Sequence, residues 1–435
     1  GRSATCNDRK NVITSTATTA GVPNAAITMS SNWDSVCWAL CRNHPTIPYM
    51  ASAMTSPVML TITARRFPLI PKIVSVAISV PLSLADTKYL VQNMALGKEI
   101  SEKLREAVDR DLSFMHICGT HEAAISRAGL RSVLPPGLKI VMGPGCPVCI
   151  TPQGEIDAAL DLVKRGCIVA TYGDLLRVPG SRGSLESSGG DVRVVQGVHK
   201  AVEIARSTNK EVAFISVGFE TTAPTVAATL LTRPPENFSI LSCHRLVPPA
   251  MKWLLEQGEA KLHGFLLPGH VCTVVGYQDY EQFPVPQVVA GFEPEDILLG
   301  LLMLVEQVKS GEAKVENAYP RAVTREGNVR ARQLMYEVFA PVDAEWRGFP
   351  VIPRSGLQLK SEFEEYDAQK KFDIPIRHVE KHSACICDRV LRGIAEPTDC
   401  RLFGKVCNPR TPVGPCMVSH EGACRIWHMF RVKRE

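Results

Sequence analysis

From Asp86 onward, short uncharged apolar runs give way to glycine-containing loops and then to longer stretches of mixed apolar and polar residues. Strand, loop and helix repeated in that rhythm are the signature of a parallel α/β sheet. "FMHI" leads into "CGTHE", "KIVM" into "GPGCPVC", and "CIVATYGD" into "LLRVPGS". A second series follows: "EVAFISVGFETTAP", "FSILSCHRLVPPAM", "LHGFLLPGHV" and "QVVAGFEPEDIL". The pattern predicts two doubly wound, Rossmann-like parallel-sheet domains, residues 86–204 and 205–340. Pro294 suits a first helical position, and the run "EDILLGLLMLVEQVKSG" ends at Gly311 as a capped amphipathic helix does.

From about Pro341 the rhythm lapses and the chain becomes rich in Cys and Pro, so residues 341–435 are expected to form a small third domain. A region with so little core needs a staple. Residues 1–85 differ again. No Glu precedes Glu99, and the charges are mostly basic (Arg2, Arg9, Lys10, Arg42, Arg65, Arg66, Lys72), in loose likeness to an organellar transit peptide. The uncharged stretch from Ile73 to Ala85 is shorter than the ~20 residues of a membrane span and is broken by Pro81. Cys37 and Cys41, with His44 near, offer metal ligands but lack a second pair at a suitable distance. The segment is read as a poorly structured or non-native extension.

With 45% hydrophobic and 21% charged residues, composition is that of a soluble globular chain. A net charge of +5 without a long Lys/Arg run gives no case for nucleic acid or an anionic membrane as partner. Neither a GxGxxG fingerprint nor a phosphate-binding P-loop occurs, and "GSRGSLESSGG" reads as a flexible surface loop. The 15 cysteines change the picture more. Six of them lie between Cys385 and Cys424, and such clustering, without a secretory signal, favours metal or redox chemistry over a disulfide framework.

Ligands of such sheets bind beyond the carboxyl ends of the strands, where Cys118, Cys146 and Cys149 fall. In "MGPGCPVC" the Gly and Pro residues leave the backbone little freedom, so both thiols are presented stiffly. Metal ligation, a redox pair and two small fillers in a tight turn all fit. In "CGTHE", His121 could lower the thiol pKa or move protons, and Glu122 adds a carboxylate; helix capping is the plainer use of Thr120 or His121. HExxH is absent, because Ile125 occupies the second histidine position. The tail holds too many thiols for one zinc site, which suits a Cys-ligated iron–sulfur cluster plus a spare pair; structural zinc is the alternative. Cys167, Cys243 and Cys272 lie in apolar runs read as strands and are most simply core residues.

Together, "CGTHE", "GPGCPVC", "GDLLRVPGS", "GFETTAP", "PPAM", "PGHV", "GFEPEDIL", "ENAYPRAV", "WRGFPVIPRSGL" and "DCRLFGKVCNPRTPVGPCMVSHEGAC" occur in the order seen in the HypD family of NiFe-hydrogenase maturation proteins. The resemblance runs from about Asp86 to Trp427, and residues 1 to about 77 have no counterpart in it. It implies a cytoplasmic, redox-active scaffold that works with a HypC-like chaperone and a HypE-like cyanide donor. On that scaffold an Fe(CN)2CO unit is assembled for the hydrogenase large subunit. Matched by motif, Cys118, Cys146 and Cys149 correspond to cysteines linked to iron binding, and His121 and Glu122 to polar residues beside them. The rigid CxxC then serves as soft thiolate ligands or as a reducible dithiol.

The tail resembles the family's 4Fe-4S domain, likened to ferredoxin:thioredoxin reductase. By position, Cys385, Cys400, Cys407 and Cys424 are assigned to the cluster, and Cys387 and Cys416 to a redox couple. Three departures stand out: Asp388 replaces the Gly usual after the CxC, Cys272 replaces the Ser usual after "PGHV", and "VQGVHK" replaces a Tyr-Ser-Pro segment. A stand-alone iron–sulfur thiol–disulfide oxidoreductase is the alternative function; it explains the tail and the CxxC but not the other loops.

Overall fold

The computed structural model describes residues 84–379 and 384–431. The expectations for the extension, with Cys37, Cys41 and His44, lie outside the described residues. The apolar runs form strands β1 (Leu112–His116), β2 (Leu138–Met142), β3 (Ile168–Thr171), β4 (Val192–Val194), β5 (Val212–Gly218), β6 (Phe238–His244), β7 (Gly264–Pro268), β8 (Gln287–Ala290) and β9 (Val315–Asn317). Every neighbouring pair among them is parallel. They make one sheet of order β2-β1-β7-β8-β9 and another of order β4-β3-β5-β6. β5 and β7 are buried along their whole length, as strands covered by helices on both faces must be.

The sheets do not divide near residue 205. β1 pairs with β2 on one side and with β7 on the other, so the first sheet draws on both halves of the chain and the second is inserted between β2 and β7. Local patterning identifies each strand; which strands adjoin is decided by packing between residues far apart in sequence. Phe114 of β1, for example, is fully buried in a cluster with Leu266 of β7 and Ile297 and Leu301 of the helix Pro294–Ser310. That helix has Pro294 at its start, and Gly311 in the left-handed region (φ 71°) closes it by donating to Gln307 O.

The region after residue 340 also departs from expectation. Strands β10 (Phe339–Glu345) and β11 (Val351–Leu359) form an antiparallel pair with an irregularity between Val342 and Ala344. Their prolines, Pro341 and Pro353, disguise them in the sequence but are tolerated in a two-stranded ribbon, whose strands carry fewer ladder hydrogen bonds than the centre of a sheet. The ribbon belongs with the second sheet: Ser242 Oγ of β6 donates to Leu357 O at 2.7 Å, and Phe339, Leu357 and Leu359 share a core with Phe214 and Ile240. The Cys-rich segment is therefore shorter than 341–435. Its short helices are Cys387–Leu391, Pro415–Val418 and Ala423–Phe430, and the last packs on the helix Gly119–Arg127.

Cys272 lies on the helix Gly269–Val275, not in a strand, although it is buried as expected. The Gly180–Gly190 loop is pinned to the helix Gln153–Lys164: Ser181 N and Oγ both donate to Asp157, and Arg182 Nη1 donates to Asp161 at 2.7 Å. Among the described residues, no helix is long and apolar enough to cross a membrane.

Candidate functional site

Adjacent parallel strands bring their carboxyl ends, and the loops beyond them, to one place. After β1 the chain turns at Cys118, whose extended backbone (φ −161°, ψ 124°) starts the helix Gly119–Arg127 and whose Sγ accepts from His121 N at 3.4 Å. After β2, Cys146 does the same for the short helix Pro147–Ile150, its Sγ accepting from Cys149 N at 3.1 Å. Cysteine sulfurs thus fill the capping position usually held by Ser, Thr or Asp. The two loops touch through Gly145: a Cβ there would lie 2.1 Å from Cys118 N and 2.5 Å from its Cα, so only glycine permits the approach. Gly119 N donates to Gly145 O at 3.2 Å and closes the junction.

Cys146 and Cys149 are joined as a disulfide with their Cα atoms 5.2 Å apart, and both are fully buried. Cys118 stands beside them as a thiol, 2% exposed. From the first turn of the helix Gly269–Val275, which follows β7 directly, His270 Nδ1 faces Cys118 Sγ at 3.8 Å. From the loop after β8, Gly291 O accepts from His121 Nε2 at 2.8 Å, and the Phe292 ring lies against both His121 and His270. His121 Nδ1 is buried without a partner among the described residues.

Burial sets the charge state. It pushes the Cys118 thiol up to about 12. It also holds His121 down at about 3, with His116 adding to the effect, and His270 down at about 4. One neutral thiol and two neutral imidazoles line the pocket, and the nearby Glu421 carboxyl adds to the cost of a bare thiolate, so the thiol proton leaves when an incoming cation displaces it.

Glu122 faces elsewhere. Its fully buried carboxylate accepts from His116 Nε2 (2.8 Å), Ser126 Oγ (2.9 Å), both Arg131 Nη atoms (2.9 and 2.8 Å) and Trp427 Nε1 (2.8 Å). Burial alone would raise its pKa, but Arg131 and His116 outweigh that and hold the carboxyl well below its ordinary value. Glu122 therefore ties the Cys-rich tail, through Trp427, to β1 and the CGTHE helix.

The tail thiols share one neighbourhood. Cys387 interacts with both Cys385 and Cys416, while Cys424 feels Cys385, Cys387, Cys400 and Cys407. Five of the six are buried and Cys400 is partly exposed. A Cβ on Gly414 would fall 2.7 Å from Cys385 Sγ and 3.5 Å from Cys387 Sγ, so the glycine leaves the sulfurs their room. Among the described residues, no group of three or more His, Cys, Asp or Glu side chains converges to hold a metal ion. Ligand sulfurs of a cluster stand farther apart than those of a single ion, because the cluster's own atoms lie between them. Four thiols of this set, with the guanidinium of Arg347 near Cys387, Cys416 and Cys385, fit a Cys-ligated anionic cluster by donor chemistry.

Sequence reasoning assigned no role to several residues here. His270 follows the apolar run "FLLP" as Cys118 follows "FMHI", so the strand-end signal was present. Glu421 and Arg347 gave no local signal. Glu421 packs where a Gly119 side chain would be, and Thr120 Oγ1 donates to it at 3.5 Å. Arg347 N donates to Ile150 O at 2.7 Å, so this residue bridges the CPVC helix and the tail thiols.

Residues 93–431 match the HypD family model, described as hydrogenase formation hypA family. A Methanocaldococcus jannaschii protein named for hydrogenase expression and formation is 48% identical over 76% of this chain and 94% of its own length. The hydrogenase maturation factor HypD2 of Bradyrhizobium diazoefficiens is 43% identical over 77% of this chain and 93% of its own. HypD of Cupriavidus necator is 45% identical over 73% of this chain and 89% of its own. The match covers every loop that builds the cysteine site and the tail that packs on it, and the chain belongs to the HypD family.

Proposed function

We propose that this chain is a hydrogenase maturation factor acting as a redox-active scaffold. With HypC-like and HypE-like partners, it assembles an Fe(CN)2CO unit for the large subunit of a NiFe hydrogenase. The observation that carries this reading is the juxtaposition of the Cys118 thiol, faced by His270, with the Cys146–Cys149 disulfide at the ends of neighbouring strands. Iron is the cargo. A soft thiolate donor suits a low-spin iron that carries cyanide and carbonyl.

Cys118 loses its proton as it takes the iron, and His270 Nδ1 is the base beside it. The disulfide accepts two electrons and two protons to give the thiols of Cys146 and Cys149, which then become available as ligands or reductant. Release of cyanide from a protein thiocyanate to leave a thiolate also consumes two electrons. Cys387 and Cys416, neighbours in the tail, are the couple that stores them, becoming a disulfide as they give up two electrons and two protons. Cys385, Cys400, Cys407 and Cys424 would hold a 4Fe-4S cluster, which supplies electrons singly when bound. A stand-alone thiol–disulfide oxidoreductase would use the same disulfides, yet has no use for a separate buried thiol faced by a neutral histidine.

The test is metal and partner content after anaerobic purification. Iron with acid-labile sulfide, together with retention of a HypC-like partner, supports the scaffold. Iron and sulfide with no such partner favours the oxidoreductase, and zinc alone contradicts both.

A further inference from the structure

A recess of about 360 Å³ opens among the loop after β5, the helix Val247–Gln257, the segment 275–283 that follows β7, the helix Val329–Val338 and the β10–β11 ribbon. Its walls are flat and apolar, with Trp253, Phe283, Tyr336, Pro249 and Pro353 among them. Glu220, from "GFETTAP", also lines it and is only 2% exposed. One carboxylate oxygen, Oε1, accepts from Val247 N at 2.8 Å. The other, Oε2, is buried and has no partner among the described residues.

A carboxyl in that position calls for a donor from outside the chain. Burial pushes it up to about 7, with Asp279 adding to the shift, so near neutral pH it carries much of a negative charge with no cation on it. The nearby cations are engaged or peripheral: Arg332 donates to Asp279 at 3.2 Å, Lys252 pairs with Glu256 at 3.7 Å, and Arg354 stands on the rim. A planar cation meets all the conditions at once, because it supplies charge and N–H donors while its faces lie against aromatic walls. Lysine would bring charge without the flat face. Of the lining residues, Tyr336 is 37% exposed and Pro353 is exposed as well. Such an apolar skirt is the kind that a polypeptide covers and a free small cation does not.

We propose that this recess binds an arginine side chain of a partner polypeptide, its guanidinium donating to Glu220 Oε2 and lying along the Trp253 and Tyr336 rings.

The probes are the peptide acetyl-Gly-Arg-Gly-amide, its citrulline counterpart, and benzamidine, titrated by NMR into the full chain. The arginine peptide should bind at least tenfold more tightly than the citrulline peptide, which keeps the planar shape but lacks the charge and two of the five N–H donors. Glu220→Gln should remove that preference. Tyr336→Ala, a change at a half-exposed wall, should weaken the arginine peptide several-fold, and it serves as the test if Glu220→Gln does not fold. Equal binding of the arginine and citrulline peptides, a preference that survives in Glu220→Gln, or arginine-peptide binding undiminished in Tyr336→Ala overturns the proposal. Benzamidine binding without any peptide binding also overturns it, and would mark a site for a free small cation.

Discussion

Glu122→Gln tests whether the buried carboxylate fastens the Cys-rich tail to the first sheet. The substitution keeps the shape but replaces one acceptor oxygen with an NH2 group that must face donors, since His116, Ser126, Arg131 and Trp427 all donate to this carboxylate. Removing one partner from a buried ion pair costs roughly 3–5 kcal/mol. Arg131 keeps 16% of its side chain exposed, so water relieves part of the loss and the lower end applies, about 3 kcal/mol at pH 7. The carboxyl is held below its ordinary value of 4.5, so its contribution is present above that pH and is lost as pH falls through the folded-state value. Urea denaturation of the two proteins should therefore show a gap that is level between pH 5 and 8 and narrows in more acid solution. Limited proteolysis should show faster cleavage of the segment around Trp427 in the variant. A gap below about 1 kcal/mol, or one that widens in acid, would refute the reasoning.

Gly145→Ala should disrupt the site more than its size suggests, because the added Cβ meets the backbone of Ile117 and Cys118 at 2.2 and 2.1 Å, and backbone cannot swing aside. Thermal melts should fall and alkylation of Cys118 should quicken, whereas unchanged alkylation would show that the loops do not interlock. Glu220→Gln should stabilise the protein increasingly as pH rises from 5 to 8. The raised native pKa, about 7 against 4.5, means that the wild-type protein loses stability across that window, by about 3 kcal/mol in all. Parallel denaturation curves at both pH values would contradict this. Under mild oxidation, thiol trapping with mass spectrometry should find Cys387 joined to Cys416; both thiols free in every state would remove the proposed relay.

Much of the site was readable because its chemistry sits at strand ends. "FMHI" before Cys118 and "KIVM" before "GPGCPVC" mark a change of period from strand to loop, and the Gly and Pro residues show that the loop is tight. The company those loops keep was not readable. That β1 lies between β2 and β7, and so sets His270 against Cys118, follows from long-range packing that no local window contains. The β10–β11 ribbon was hidden by its prolines, which sit where a ribbon can spare the hydrogen bond. Glu122 was placed in the right loop, but its direction depends on Trp427, 305 residues away. Long chain closures of that kind leave no trace in the residues around either end.

The central claim is that Cys118, beside the Cys146–Cys149 pair, carries iron with its cyanide and carbonyl ligands. The direct measurement is infrared spectroscopy of the chain co-expressed anaerobically with a HypC-like partner, wild type against Cys118→Ala. Cys118 is small, and its loss removes one thiol and one helix cap worth about 1 kcal/mol, so the variant should remain folded. The account predicts cyanide and carbonyl stretching bands from the wild-type complex and none from an equally folded Cys118→Ala complex. Bands of undiminished strength in Cys118→Ala would contradict it.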